Sequence, residues 1–124
     1  MLYERILVGT DGSATATKAV DRAVEIAKVT GATLTVLHVG SGPRGQQVLD
    51  GVSDRYAKSG VTVTPEMRGG DPAGVLADVA EKEGYDLLVV GNKGMTGAAR
   101  FFLGSVPNKV SHHARCSLMI VHTT

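Results

Sequence analysis

Five short apolar runs alternate along this chain with four stretches of helical periodicity, and few folds satisfy that order. The runs are Ile6-Leu7-Val8, Leu34 to Val39, Val61 to Thr64, Leu87 to Val90 and Leu118 to Val121. Between them, apolar residues recur at helical spacing: Val20, Ala23, Val24 and Ala27; Val48, Val52 and Tyr56; Leu76, Val79 and Ala80; Val106, Val110 and Ala114. Strict β-α alternation with short connections predicts an α/β fold, a parallel sheet covered by helices on both faces and joined by right-handed crossovers. The run Val61-Thr62-Val63-Thr64 alternates apolar and polar residues, which suits an edge strand. The other four are near-continuous apolar, as doubly covered strands are.

The helix boundaries carry their own chemical marks. Ser13 or Asp11 can cap the first helix, Asp71-Pro72 reads as N-cap and first turn of the third, and Ser105 can cap the fourth. Gly31, Gly60 and Gly84 follow the first three helices, where a left-handed residue is expected. The segment Gly40-Ser41-Gly42-Pro43-Arg44-Gly45 reads as the most flexible connection, and Asn92 to Leu103 as the longest loop. In open sheets of this kind ligands bind beyond the carboxyl ends of the strands, where strand order reverses. That puts the long loop over the expected site.

At 124 residues the chain is one domain, residues 1–124, and a two-domain enzyme is excluded. Its 13 basic and 12 acidic side chains lie scattered, so no footprint for nucleic acid or an anionic membrane is present. With no signal-peptide pattern and no apolar run near 18 residues, the expected location is the cytoplasm. The single cysteine, Cys116, reads as a small buried apolar residue, with redox sensing the lesser alternative.

The strongest functional signal begins where the fourth apolar run ends. Gly91, Gly94, Gly104 and Ser105 form a Gly-x2-Gly-x9-Gly-Ser string. Glycine at the mouth of a buried strand lets backbone approach a bulky ligand, and Gly-Ser can open a helix whose free N–H groups attract phosphate. With 16 glycines in the chain such a spacing can arise by chance, so its position after a buried strand is what gives it weight. Lys93, between the two close glycines, either balances phosphate charge or is a solvated loop lysine. Asp11, in Gly9-Thr10-Asp11-Gly12-Ser13, either meets a ribose or a divalent cation or serves as a helix cap. Thr10 meets a ligand or closes the turn. The Val39 backbone can pair with an adenine edge, although an apolar strand end needs no ligand. Arg100 has no clear role, and Phe101-Phe102-Leu103 reads as packing for the loop.

Other chemistries lack their residues. None of His38, His112, His113 and His122 has a partner at metal-ligand spacing, and no Cys-x2-Cys or His-Glu-x2-His occurs. Neither a Gly-x-Ser-x-Gly elbow nor an evident Cys-His pair supports covalent catalysis. The P-loop and dinucleotide glycine patterns are also missing.

Taken end to end, the chain resembles a universal stress protein of the nucleotide-binding branch. The likeness is carried by Ile6-Leu7-Val8-Gly9-Thr10-Asp11-Gly12-Ser13, Leu37-His38-Val39, Gly70-Asp71-Pro72, Asp86-Leu87-Leu88-Val89-Val90-Gly91 and Gly104-Ser105-Val106 leading into Leu118 to Val121. The glycine string has the spacing of that family's nucleotide signature. The resemblance implies a single-domain, Rossmann-like open sheet of order 3-2-1-4-5, similar to adenine nucleotide alpha hydrolases. It implies that Thr10 and Asp11 lie near ribose and phosphates and Val39 near adenine. Val90, Gly91, Lys93 and Gly94 would then wrap sugar and phosphate, and Gly104, Ser105, Val106 and Pro107 the phosphate tail. ATP is the expected ligand, with Mg2+ or Mn2+ carried on its phosphates. Pro107 departs from the Ser or Thr that many relatives have, and offers phosphate neither hydroxyl nor N–H. A Gly-Ser-Val-Pro start resembles a subset linked to AMP or cyclic AMP. The second-strand connection is short for the family.

The reading that follows is a stress-response regulator or sensor that binds adenine nucleotide and forms a homodimer through the fifth strand. A slow ATPase or phosphotransferase using the same pocket is the alternative, although no residue presents itself as a poised general base. A flavodoxin-like carrier is disfavoured because Asp11 would repel a flavin phosphate and few aromatic rings are available. A receiver domain is disfavoured because no acidic cluster forms.

Overall fold

A computed structural model of the chain describes residues 2–92 and 116–123. Within them run β1 (Arg5–Thr10), α1 (Ala14–Thr30), β2 (Thr33–Val39), α2 (Gly42–Tyr56), β3 (Val63–Arg68), α3 (Pro72–Lys82), β4 (Leu87–Gly91) and β5 (Ser117–Val121). The strands form one parallel sheet in the order β3-β2-β1-β4-β5. Successive residues of a strand face opposite sides, and the core divides accordingly. Ile6, Val8, Leu34, Val36, Leu87 and Val89 pack with α1 and α2, whereas Leu7, Leu37, Leu88 and Val90 pack with α3. Doubly covered strands explain the continuous apolar runs. The expected fourth helix, with Val106, Val110 and Ala114, lies outside the described residues.

Caps form where their residues predict. Ser13 is the N-cap of α1, its hydroxyl accepting from the Ala16 N–H at 3.1 Å. Asp71 caps α3 by accepting from the Gly74 N–H at 2.9 Å. Gly31 at φ 76° and Gly84 at φ 74° supply the left-handed residues after α1 and α3.

Three expectations about local structure are corrected. The Gly40–Gly45 segment is not simply a loop, because α2 already begins at Gly42 with Pro43 in its first turn, where a missing N–H costs nothing. Gly60 does not cap α2, which ends at Tyr56; it takes φ 81° in the turn leading toward β3. The third strand is Val63–Arg68, running through Pro65 where the sequence suggested an end. The ladder explains why. Leu34 N–H donates to the Thr62 carbonyl and Gly40 N–H to that of Arg68, so even positions of β3 face β2 and odd positions face outward. Pro65 therefore lacks only an N–H that would have pointed off the sheet, as an edge strand allows.

The opposite edge follows the same arithmetic. Ser117 N–H donates to the Asp86 carbonyl and Asn92 N–H to that of Val121, so odd positions of β5 face β4. Leu118 and Ile120 turn their peptide groups outward. Cys116, just before β5, is half-buried, and burial followed by the nearby Asp86 charge pushes its thiol up to about 11. A thiol held protonated is a poor redox sensor.

On the α1–α2 face, Arg55 reaches across to Asp21 with two hydrogen bonds, Nε to Oδ1 at 3.1 Å and Nη2 to Oδ2 at 2.8 Å. The Tyr56 hydroxyl donates to Asp21 Oδ1 at 2.6 Å. The Arg55 bond holds the Asp21 carboxyl below its ordinary value of 3.8, a shift that burial partly opposes and the Tyr56 bond reinforces. A depressed folded-state value stabilises the protein above the unfolded value, and that stabilisation is lost as pH falls through the folded one. Asp21→Asn is therefore expected to cost about 1 kcal/mol or less at pH 7, with the difference from wild type shrinking in urea titrations as pH falls through the lowered folded-state value. The figure is small because Asp21 and Arg55 are 39% and 54% exposed, and water screens the pair.

Candidate functional site

Strand order reverses between β1 and β4, since β1 leads through α1 to β2 on one side while β4 pairs on the other. At the carboxyl ends of β2, β1 and β4 lie Val39, Thr10 with Asp11 just beyond it, and Val90 with Gly91. The β1–α1 turn is built by its own polar groups. Thr10 Oγ1 accepts from the Gly12 N–H at 3.1 Å, Asp11 Oδ1 accepts from the Ser13 N–H at 2.9 Å, and Gly12 takes φ 82°. Asp11 is thus a turn residue beside the cap, and the cap itself is Ser13. Its Oδ2 has no partner among the described residues.

No described residue outside the strands donates to the Val39 carbonyl, for a reason visible in the ladder. Thr33 N–H donates to the Glu4 carbonyl, so odd positions of β2 direct their peptide groups toward β1. The strand β1 ends at Thr10, and Gly12, next along that ladder, gives its N–H to Thr10 Oγ1 instead. The Val90 side chain is fully buried against α3, so any contact it offers a ligand comes from its backbone.

At the end of β4, Asn92 does what the sequence did not suggest. Its Oδ1 accepts from the Thr123 N–H at 2.9 Å and from the Thr123 hydroxyl at 3.0 Å. Lys18 Nζ donates to the Thr123 carbonyl at 3.1 Å, which binds α1 into the same clamp. Asn92 is therefore held in place at the end of β4. Lys93, Gly94, Gly104, Ser105, Val106 and Pro107, together with Arg100 and the Phe pair, lie outside the described residues.

A cleft of about 570 Å3 opens beside the β1–α1 turn, between α1 and α2. Thr10 and Asp11 line it, and so do His38, Arg44, Gln47 and Tyr56, none of which was a candidate ligand contact from sequence. His38 has no partner at metal-ligand spacing, so the sequence gives it no role in a site. A signal existed, since its position in β2 puts it on the same face as Leu34 and Val36, toward α1 and α2.

Comparison with known proteins adds the ancestry. A family model described as the universal stress protein family matches residues 2–56 and, in a second piece, residues 44–122. This chain belongs to the universal stress protein family. Universal stress protein YxiE of Bacillus subtilis is 30% identical over 147 aligned positions that cover 97% of this chain and 99% of that protein. Universal stress protein Rv1636 of Mycobacterium tuberculosis superimposes with a TM-score of 0.67 at 40% identity, over 98% of this chain and 97% of its own. A crystal structure of a universal stress protein in complex with cAMP superimposes with a TM-score of 0.78 at 36% identity, covering 98% of both chains. The alignment to YxiE is longer than this chain, and residues 44–56 are matched by both pieces of the family model. This universal stress protein is thus shorter than that relative.

Proposed function

We propose that this universal stress protein binds an adenine nucleotide beyond the carboxyl ends of β2, β1 and β4 and acts, as a homodimer, in regulating a stress response. The observation that carries the reading is the convergence of Asp11, the Val39 carbonyl and the Gly91 backbone at the reversal of strand order. The 36%-identical relative in complex with cAMP supports an adenine nucleotide as the ligand class. Adenine pairs with the Val39 backbone and the ribose meets Asp11. Phosphate meets Lys93, Gly94, Gly104, Ser105, Val106 and Pro107. Where the phosphates carry Mg2+ or Mn2+, Asp11 Oδ2 supplies a carboxylate oxygen. ATP remains the first candidate, and the Pro107 position favours AMP and cyclic AMP over it if phosphate donors are few.

Calorimetric titration of the full chain with cAMP, AMP and ATP tests the reading. At least one is expected to bind, and Gly104→Val to abolish that binding while the far-ultraviolet circular dichroism stays unchanged. A β-branched side chain would take the space that phosphate needs. No binding by wild type, or undiminished binding by the variant, would overturn the assignment. Hydrolysis is expected to run far below the roughly 10 per second of dedicated enzymes, measured as phosphate release.

A further inference from the structure

We propose that His38 is a positioning residue for the nucleotide, its imidazole locking the spacing between the ribose and adenine contacts. The inference rests on the nucleotide reading above. His38 Nδ1 lies 3.0 Å from the Thr10 carbonyl oxygen, across 28 residues of sequence. A carbonyl only accepts, so Nδ1 carries the proton and donates it. Thr10 immediately precedes Asp11, and His38 immediately precedes Val39. One side-chain hydrogen bond thus joins the backbone beside the ribose contact to the backbone beside the adenine contact. It does so at the last pair of the β1–β2 ladder, Thr10 opposite His38, where it adds a side-chain tie to the backbone pairing that ends there.

The surroundings are shaped around the ring. His38 is only 8% exposed. A Cβ placed on Gly40 would lie 2.5 Å from Nε2 and 3.1 Å and 3.2 Å from two ring carbons. A Cβ on Gly45 would collide with Met67 Sδ and come within 3.5 Å of His38 Cδ2. Neither glycine has the positive φ that would by itself call for glycine. Both leave room for the ring and for the methionine beside it, and Gly45 does so from the first turn of α2. The entry to α2 and the end of β2 therefore close around an imidazole whose only hydrogen bond among the described residues is to the β1 end.

A buried filler and a positioning residue predict different variants. Asn at position 38 can place an N–H near the site of Nδ1, Gln places its amide near the site of Nε2, and Leu supplies volume alone. We would titrate wild type, His38→Asn, His38→Gln, His38→Leu and Gly40→Ala with cAMP, AMP and ATP, and record each melting temperature. The affinity of His38→Asn is expected within about threefold of wild type. His38→Gln, His38→Leu and Gly40→Ala are expected to lose about tenfold, the upper range for one hydrogen bond. The proposal is overturned if His38→Gln or His38→Leu binds as wild type does, or if affinities simply follow melting temperatures whatever donor is present. Wild type that binds none of the three nucleotides would sink the nucleotide reading itself, a result distinct from tight binding indifferent to residue 38. Should His38→Leu not fold, the Asn and Gln pair still decides.

Discussion

In the homodimer proposed above, replacing Ile120 with proline is expected to leave a monomer without disturbing the chain's own sheet. The outward peptide groups of β5 are those of Leu118 and Ile120, because Ser117, Met119 and Val121 direct theirs to β4. No proline or lysine blunts this edge. A second copy related by a two-fold axis can pair with it antiparallel and join two sheets. Proline at position 120 deletes one outward donor, and its ring obstructs the approaching strand, while every β4–β5 hydrogen bond survives. Met119→Pro should instead break the internal ladder and misfold. Val63→Pro on the far edge repeats what Pro65 already does there, and should leave assembly intact. Light scattering reads the outcome as the mass of one 12.9 kDa chain or of two. A monomeric wild type at micromolar concentration would rule the arrangement out.

Leu7→Ala is expected to cost about 3 kcal/mol, within the range of roughly 2–5 kcal/mol for such truncations in a close-packed core. Leu7 is fully buried on the central strand, flanked by β2 and β4, and it packs with Leu37, Leu88 and the buried residues of α3. A cavity there has strands on both sides, and neither can collapse into it without shifting a ladder. The loss is a large part of the roughly 5–15 kcal/mol that holds a domain together. Urea titration should show a lower midpoint at an unchanged slope. Leu2→Ala is the control, because Leu2 is 78% exposed and its removal should change stability by about 0.5 kcal/mol or less.

Much of this was legible in the residues. Continuous apolar strands and helical spacing are properties of the chain itself, so the parallel sheet could be read directly, and the polar alternation at Val61 to Thr64 marked β3 as an edge. Strand order came from the family likeness, since pairing between β1 and β4 leaves no local trace. Errors collected where tertiary context overrides local preference. Pro65 looks like a stop until its N–H is known to point off the sheet. Gly42, Pro43 and Gly45 look like a loop until α2 begins among them, and then Gly45 proves to clear space for Met67. At the site, residue types named Asp11 and Thr10, but only geometry could reveal the His38 tie and the Asn92 clamp, each joining residues far apart in sequence.

The central place of β1 has a consequence for how the chain comes off the ribosome. Its first neighbour, β2, emerges early, with Ile6 opposite Leu34, but its second, β4, places Leu87 against the same Ile6. At about 5–20 residues per second of synthesis, some 3–10 s separate the two arrivals. Throughout that interval Ile6, Leu7 and Val8 stand at an open border with nothing yet made to seal it. A segment that is fully buried in the finished molecule thus keeps one edge unpaired in the nascent one until β4 is made.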